Sequence, residues 1–216
     1  MGLKVLRLAD PDDYDFARAT RHGTWVGTPS RRAKPLRMSW EPGSVTIGDF
    51  TWPGLDTEVV LTERAVTALE GEVSGFELGE VVIEKPERRR GEPCVDYPYC
   101  GPPLFELWPT GRGVADLSRS TVVRLHDDSR SVPVYRVTGV ERVEKTWNAS
   151  KAELVSTRYG REPGHGLTLV GHSADIFRIS EFPGHIFCTE RVRDIVKAAE
   201  LTNAGFLEVG EVDDGG

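Results

Sequence analysis

The sequence predicts an α+β fold in which two similar strand–helix–strand units flank a proline-rich, mostly β middle region. Three observations support this fold class: a helix start at Thr189, apolar strands on both sides of that helix, and an earlier echo of the same pattern. We treat the chain as one domain. Its parts are units at 50–83 and 173–212, a polar linker at 84–93 and a middle β region at 94–172.

The C-terminal unit contains the clearest helix signal. The Thr189 hydroxyl can accept a hydrogen bond from an unpaired N–H of the first turn, so it predicts an N-cap, and Glu190 suits the positive end of the helix dipole. Apolar residues then recur at helical spacing: Val192, Ile195, Val196 and Ala199. Short apolar runs at 185–188 and 206–209 predict the flanking strands.

Residues 50–82 repeat this pattern in the same order. Thr62-Glu63-Arg64 matches Thr189-Glu190-Arg191, after a predicted strand at 58–61, and Gly75-Phe76 matches Gly205-Phe206. We therefore predict that the two segments are structurally equivalent. Capping explains the threonines and glutamates, but it does not explain an arginine at both positive helix ends, so these arginines could share a role.

The remaining chain predicts short strands separated by turns. Residues 14–44 are polar and show no sustained period, which predicts irregular structure held to the core by Trp25 and Trp40. The tail at 213–216 is expected to be disordered. Further strands are predicted at 3–8, 104–108, 120–125, 132–143 and 167–170.

Charge and composition exclude several classes of function. The 216 residues carry a net charge of −7, which argues against nonspecific nucleic-acid binding, and the Arg88–Arg90 run is interpreted as a solvated loop. The sequence contains no run of 18 uncharged apolar residues, so no membrane span is predicted. Three cysteines and an N-terminus broken by Lys4 and Arg7 do not fit a disulfide-rich secreted protein, so we expect a cytoplasmic protein.

Two of the cysteines could in principle belong to a zinc site. Cys94 and Cys100 are separated by five residues, whereas zinc knuckles favour two to four and need two further ligands. The nearest later candidate is His126, which has no partner of suitable spacing. Two reduced thiols are the favoured interpretation, and no cofactor is expected.

A second group, His165, His172, Asp175 and His185, falls within a short stretch of the C-terminal part. Metal ligation or catalysis would need these side chains to converge, and neither HxxxH nor HExxH spacing is present. Loop histidines beside glycines are common, so the group remains an alternative and not a predicted site.

Cys188 is the one candidate nucleophile. It immediately precedes a helix N-terminus, where the helix dipole lowers the pKa of a thiol. In an alternating strand, however, residues 185 and 188 point to opposite faces, which separates Cys188 from His185. A buried structural cysteine is the favoured interpretation. We predict no catalytic residue and expect a non-enzymatic protein.

Three stretches of the chain resemble a known family. These are WEPGSVTIGDFTWPG with VVLTERA, GPPLFELW, and the stretch from SADIFR through CTERVRDIV to GFLEVGEV. Together they resemble myxobacterial double-CXXCG-motif proteins and related polymorphic-toxin immunity proteins over roughly residues 38–212. Members usually carry CxxCG pairs that could hold zinc. This chain keeps only Cys100-Gly101 of one pair, and His126-Asp127-Asp128-Ser129 stands where another is expected.

The resemblance implies a cytoplasmic immunity protein, or antitoxin, that binds a cognate toxin domain and blocks it sterically. The partner would be a protein toxin encoded by a neighbouring gene, with no nucleic-acid or membrane partner. Two alternatives stay open: a small enzyme using Cys188 or the His165/His172/Asp175 group, and a degenerate zinc-binding structural module. The sequence assigns no partner-binding residues.

Overall fold

The computed structural model describes most of the chain. The described residues are 3–11, 15–22, 35–54, 57–87, 91–125, 134–138, 141–148, 153–161 and 165–213. Trp25, His126 and the tail at 214–216 lie outside these ranges, as do residues 88–90 of the predicted linker.

The described residues form two helices and sixteen strands. The helices are α1 (Glu63–Leu69) and α2 (Glu190–Ala198). The strands are β1 (Lys4–Ala9), β2 (Ala19–His22), β3 (Leu36–Trp40), β4 (Phe50–Thr51), β5 (Val59–Thr62), β6 (Phe76–Ile83), β7 (Leu104–Pro109), β8 (Gly111–Ala115), β9 (Val122–Leu125), β10 (Val134–Val137), β11 (Glu141–Asn148), β12 (Glu153–Arg161), β13 (Leu167–His172), β14 (Ile176–Arg178), β15 (Ile186–Thr189) and β16 (Gly205–Val212).

The predicted α+β class is wrong, because the fold is mostly β and contains a closed six-stranded barrel. The two helices are short, with 7 and 9 residues. The strands before and after each helix do not form an isolated unit with it. A third strand lies between them, β7 in the first sheet and β1 in the second, and all belong to six-stranded sheets. Local sequence patterns do not encode such non-local pairing.

The first sheet has the order β2-β3-β6-β7-β5-β4. β7 lies between β5 and β6 and is antiparallel to both, while β3 is parallel to β6. Strands β2 and β3 fall in the 14–44 segment, so the expectation of irregular structure there is wrong for these residues. Trp40 is buried, as predicted.

The second sheet closes into a barrel with the order β1-β15-β14-β8-β13-β16. β1 lies between β15 and β16 and is antiparallel to both, while β13 is parallel to β16. Parallel pairing of β14 with β8 completes the barrel. This closure requires a glycine at position 111, where an added Cβ would lie 2.2 Å from the Ile176 carbonyl oxygen.

The two sheets match strand by strand. The strand order β4-β5-β7-β6-β3-β2 of the first sheet corresponds to the order β14-β15-β1-β16-β13-β8 of the second. Each pair of neighbouring strands is parallel or antiparallel in the same way in both orders, and α1 and α2 follow corresponding strands. Each half of the chain also donates its first strand, β1 or β7, to the sheet of the other half. The sequence echo thus marks corresponding parts of two interlocked sheets.

One central core joins the two sheets. Val59 and Leu61 of β5 point into it, as do Ile186 and Cys188 of β15, and both helices pack over it. Phe187, between the last two, points instead into the barrel interior. Successive side chains of a β-strand point to opposite faces, so each of these strands contributes residues to two cores.

The second half carries a long insertion. In the first half, β2 and β3 are joined by the short segment 23–35, whereas the equivalent β8 and β13 are joined by the much longer segment 116–166. The insertion contains two antiparallel hairpins, β9–β10 and β11–β12. It is the largest described difference between the matching halves.

Candidate functional site

The structure places Cys188 where it cannot serve as an accessible nucleophile. Its exposed fraction is 0%, and its side chain packs in the central core. Burial raises the pKa of the Cys188 thiol well above its ordinary value, which outweighs the nearby positive charge of Arg193. A thiol held in its neutral form inside a core is a packing group.

The histidine group that stayed open as an alternative forms no metal-binding cluster in the part of the chain that the structure describes. His165 lies near Thr121, whose oxygen is 3.0 Å from Nδ1, and it also contacts the Arg119 carbonyl. His172 Nδ1 lies 2.9 Å from the Ala174 carbonyl, and its ring stacks on Phe177. His172 thus contacts its own turn, whereas His165 contacts a segment that lies 44 and 46 residues earlier in the chain.

Cys94 and Cys100 also have separate surroundings. Cys94 is buried, with its sulfur 3.8 Å from the Trp40 carbonyl oxygen, whereas Cys100 is exposed and lies 3.5 Å from the Pro98 carbonyl oxygen. Among the residues that the structure describes, no group of three or more His, Cys, Asp or Glu side chains could hold a metal ion.

Asp175, the carboxylate grouped with the histidines, belongs to a junction between the two halves. The backbone N–H and hydroxyl of Ser74, from the other half, both donate to Asp175 Oδ2, at 3.0 and 2.7 Å. The Thr189 hydroxyl donates to Oδ1 at 3.1 Å. We call Asp175, Ser74 and Thr189 the Asp175 junction.

Asp49 forms the equivalent junction on the other side. The Thr62 hydroxyl donates to Asp49 Oδ1 at 2.9 Å, and the N–H and hydroxyl of Thr202 both donate to Oδ2 at 2.9 Å. The matching backbone bonds also recur, since Phe50 N–H donates to the Thr202 carbonyl and Ile176 N–H to the Ser74 carbonyl. The Asp49 junction is therefore defined by Asp49, Thr62 and Thr202.

The two threonines predicted as N-caps occupy these junctions. Thr62 does cap α1, accepting from the Ala65 N–H at 3.4 Å. Thr189 is the N-cap residue of α2 by position, but its hydroxyl makes no capping bond and turns to Asp175 instead. The prediction of Thr189 as a cap is right for position and wrong for the side-chain bond.

The paired arginines reach across to the opposite helix. Arg64 donates to Asp49 Oδ2 at 2.8 Å and to the carbonyl of Ala199, at the C-terminal end of α2, at 2.6 Å. Arg191 donates to Glu72 Oε2, just beyond α1, at 3.2 Å. A cation beside a helix C-terminus is favourable, which accounts for Arg64, and the ion pair with Glu72 accounts for Arg191.

The electrostatics of Asp175 reflect two opposing effects. Desolvation raises the pKa of this carboxyl group. Hydrogen bonds from Ser74 and Thr189 and the charge of Arg191 together lower the pKa by more than desolvation raises it, so the pKa lies below its ordinary value. Asp175 therefore stays ionised at neutral pH as a structural acceptor.

Sequence reasoning missed Asp49, Ser74 and Thr202. The available signal was the echo itself, because Asp49-Phe50 and Asp175-Ile176 stand in the same place before the matching Thr-Glu-Arg triplets. That comparison would have separated Asp175 from the histidines. The junction residues are engaged in joining the two halves.

Large apolar side chains are exposed at several places on the described surface, and the barrel and the inserted hairpin are two of them. On the barrel, Val114 is paired with Gly171, next to the exposed Val170. On the inserted hairpin, Val123 and Leu125 of β9 are exposed by 46% and 45%. The hairpin pair belongs to the insertion that lacks a counterpart in the first half.

No protein-family model matches the chain, and no curated protein matches it either. Within the described residues, neither helix has the length and apolar character needed to cross a membrane.

Proposed function

We propose that this chain is a non-enzymatic immunity protein that binds a cognate bacterial toxin domain in the cytoplasm and blocks it sterically. The observation that carries the proposal is the signature at 173–212, which resembles that of polymorphic-toxin immunity proteins. In the structure, the polar residues of this signature build the scaffold: Asp175, Thr189 and Arg191 connect the two halves.

This use of the signature supports a binding role over catalysis. A catalytic group must reach its substrate, whereas Cys188 is enclosed in the central core and Asp175 accepts three hydrogen bonds from Ser74 and Thr189. A scaffold that carries an inserted surface element fits a protein whose task is recognition.

Co-expression with the toxin encoded by the neighbouring gene tests the proposal. We expect that wild-type protein restores growth of a host producing the toxin, and that it forms a stable complex with an inactivated toxin domain in size-exclusion chromatography. A toxin from an unrelated locus serves as the control. Unchanged toxicity, together with no complex at micromolar concentrations of folded protein, would refute the proposed function.

A further inference from the structure

We infer that the β9–β10 hairpin of the insertion is the docking surface for the toxin domain, and that it binds an apolar patch rimmed by carboxylates. The inference rests on the proposed function and adds the interface and the partner's chemistry. It begins from the position of the insertion. Both halves share one scaffold, but only the second carries a segment as long as 116–166 between the equivalent strands β8 and β13.

The two faces of the hairpin have different environments. Val122 and Tyr135, on one face, pack against the core of the barrel. Val123 is paired with Arg136, so these residues share the opposite face, and Leu125 follows Val123 on that face two residues later. Val123, Leu125 and Arg136 are all exposed, and nearly half of each apolar side chain could be covered by a partner.

We call Val123, Leu125 and Arg136 the hairpin face. Exposed apolar side chains beside an arginine form the composition that protein interfaces favour, since apolar groups supply the buried centre and arginine supplies directed hydrogen bonds. The hairpin itself is anchored, because Tyr135 N–H donates to the Glu181 carbonyl at 3.0 Å and Thr121 N–H to the Gly166 carbonyl at 2.8 Å. The face is therefore presented on a fixed element.

Charge identifies the chemistry of the partner. Residues 116–166 contain 9 basic and 7 acidic residues, a net charge of +2, whereas the whole chain carries −7. The rest of the chain therefore carries −9. A carboxylate-bearing surface would be repelled by most of this protein and attracted to the insertion, where Arg136 is exposed on the hairpin face. Charge complementarity thus directs an acid-rimmed patch to the hairpin face.

The edge of β9 offers a second mode of contact. Tyr135 directs its N–H away from β9 to Glu181, so its pairing with Arg124 is of the type without mutual hydrogen bonds. The N–H and C=O of Arg124 consequently point to the outer edge of β9, which pairs only with β10 in the described part of the chain. A strand of the partner could add to this edge while its side chains cover the hairpin face.

Matched double variants test the inference with the inactivated toxin domain as the probe. Val123→Ser with Leu125→Ser removes the apolar part of the hairpin face. Val114→Ser with Val170→Ser makes comparable polar changes on the barrel, at residues exposed by 60% and 58%. We expect the hairpin variant to weaken binding at least tenfold and the barrel variant less than twofold, measured by calorimetry on proteins with matching melting curves.

Arg136→Glu supplies an independent measurement because this side chain is exposed and lies on the hairpin face. We expect slower association with the toxin domain and a weaker dependence of the rate on salt. If the wild type binds and all three variants bind equally well, the hairpin inference is wrong and the proposed function stands. Loss of binding in the barrel variant alone would also overturn it. Failure of the wild type to bind would overturn both.

Discussion

Arg64 and Arg191 occupy equivalent positions but stabilise the fold to different extents. Arg64 bonds to the buried carboxylate of Asp49 and to backbone carbonyls at the end of α2, whereas Arg191 pairs with Glu72, and both of these side chains are more than half exposed. Charged hydrogen bonds to buried groups stabilise folds much more than solvated ion pairs do.

Alanine substitution should reveal this asymmetry. We expect Arg64→Ala to lower the free energy of unfolding by about 1–2 kcal/mol, because Asp49 and the carbonyls of α2 lose a donor. Arg191→Ala is its matched control, and we expect a change below about 0.5 kcal/mol. Urea denaturation followed by circular dichroism measures both. Equal losses would show that the bond to Asp49 contributes no more than the surface pair.

At the scale of elements, the helices and their neighbouring strands could be predicted because their signals are local. Helix α2 begins at the residue after Thr189 and buries Val192 and Val196, both on the predicted apolar face. A cap and an i, i+4 pattern lie within a few residues of each other, so one sequence contains the whole signal.

The assembly of strands into sheets could not be predicted in the same way. The sequence predicts β1 as a strand, but nothing near Lys4 indicates that it lies between β15 and β16, at the other end of the chain. The same holds for β7 between β5 and β6. Because sheet membership depends on distant partners, the predicted fold class is wrong although both helices are found.

The candidate site shows the same limit. Asp175 and Cys188 attract attention because they lie near histidines and a helix start in sequence, but the partners that determine their chemistry come from elsewhere. Ser74 contacts Asp175 from the other half of the chain, and the core around Cys188 includes strands from both halves. Charge and hydrogen bonding at a residue depend on tertiary neighbours, which local spacing does not reveal.

The Asp175 junction makes stability depend on acid pH. The pKa of the Asp175 carboxyl group is lowered in the folded state. Its contribution to folding stability is therefore present above the pKa of the unfolded state, about 3.9, and is lost as the pH falls through the pKa of the folded state. We expect stability to fall below about pH 4, and Asp175→Asn to reduce that dependence while destabilising the fold by about 1–3 kcal/mol at pH 7. Thermal melts from pH 7 to pH 3 measure both.

Asp116 provides a comparison for this pH dependence. Hydrogen bonds from Ser118 and Arg119 lower its pKa to about 2, and it lies on a turn away from the junctions. Asp116→Asn should therefore also reduce the loss of stability below about pH 4, but, unlike Asp175→Asn, it should leave the contact between the two halves in place. If Asp175→Asn unfolds with the same acid profile as the wild type, the junction does not set that profile.

At the scale of the whole molecule, the exchange of β1 and β7 predicts an unusual tolerance to rearrangement. β16 ends beside the start of β1, where the Val212 N–H donates to the Leu3 carbonyl at 2.8 Å. A short turn could join these two strands as a hairpin, as neighbouring antiparallel strands commonly are. Opening the chain in the polar linker at 84–93 would then give the order β7 to β16 followed by β1 to β6.

Because the two halves match strand by strand, this permuted chain would have the same succession of equivalent elements as the natural one. We expect a permutant that joins residue 213 to residue 3 through a glycine-rich turn, with new ends at 87 and 91, to fold with a melting temperature within about 10 °C of the wild type.

The control for the permutant is a chain that lacks residues 1–10. Without β1, the barrel loses the strand between β15 and β16, together with the buried Val5, Leu6 and Leu8, so the control should be unfolded in circular dichroism. An unfolded permutant would show that the order of synthesis, and not only the matching of the halves, is required for the exchange. A folded control would show that β1 is an accessory strand. The expected pair of results would establish that each half completes the other through its first strand.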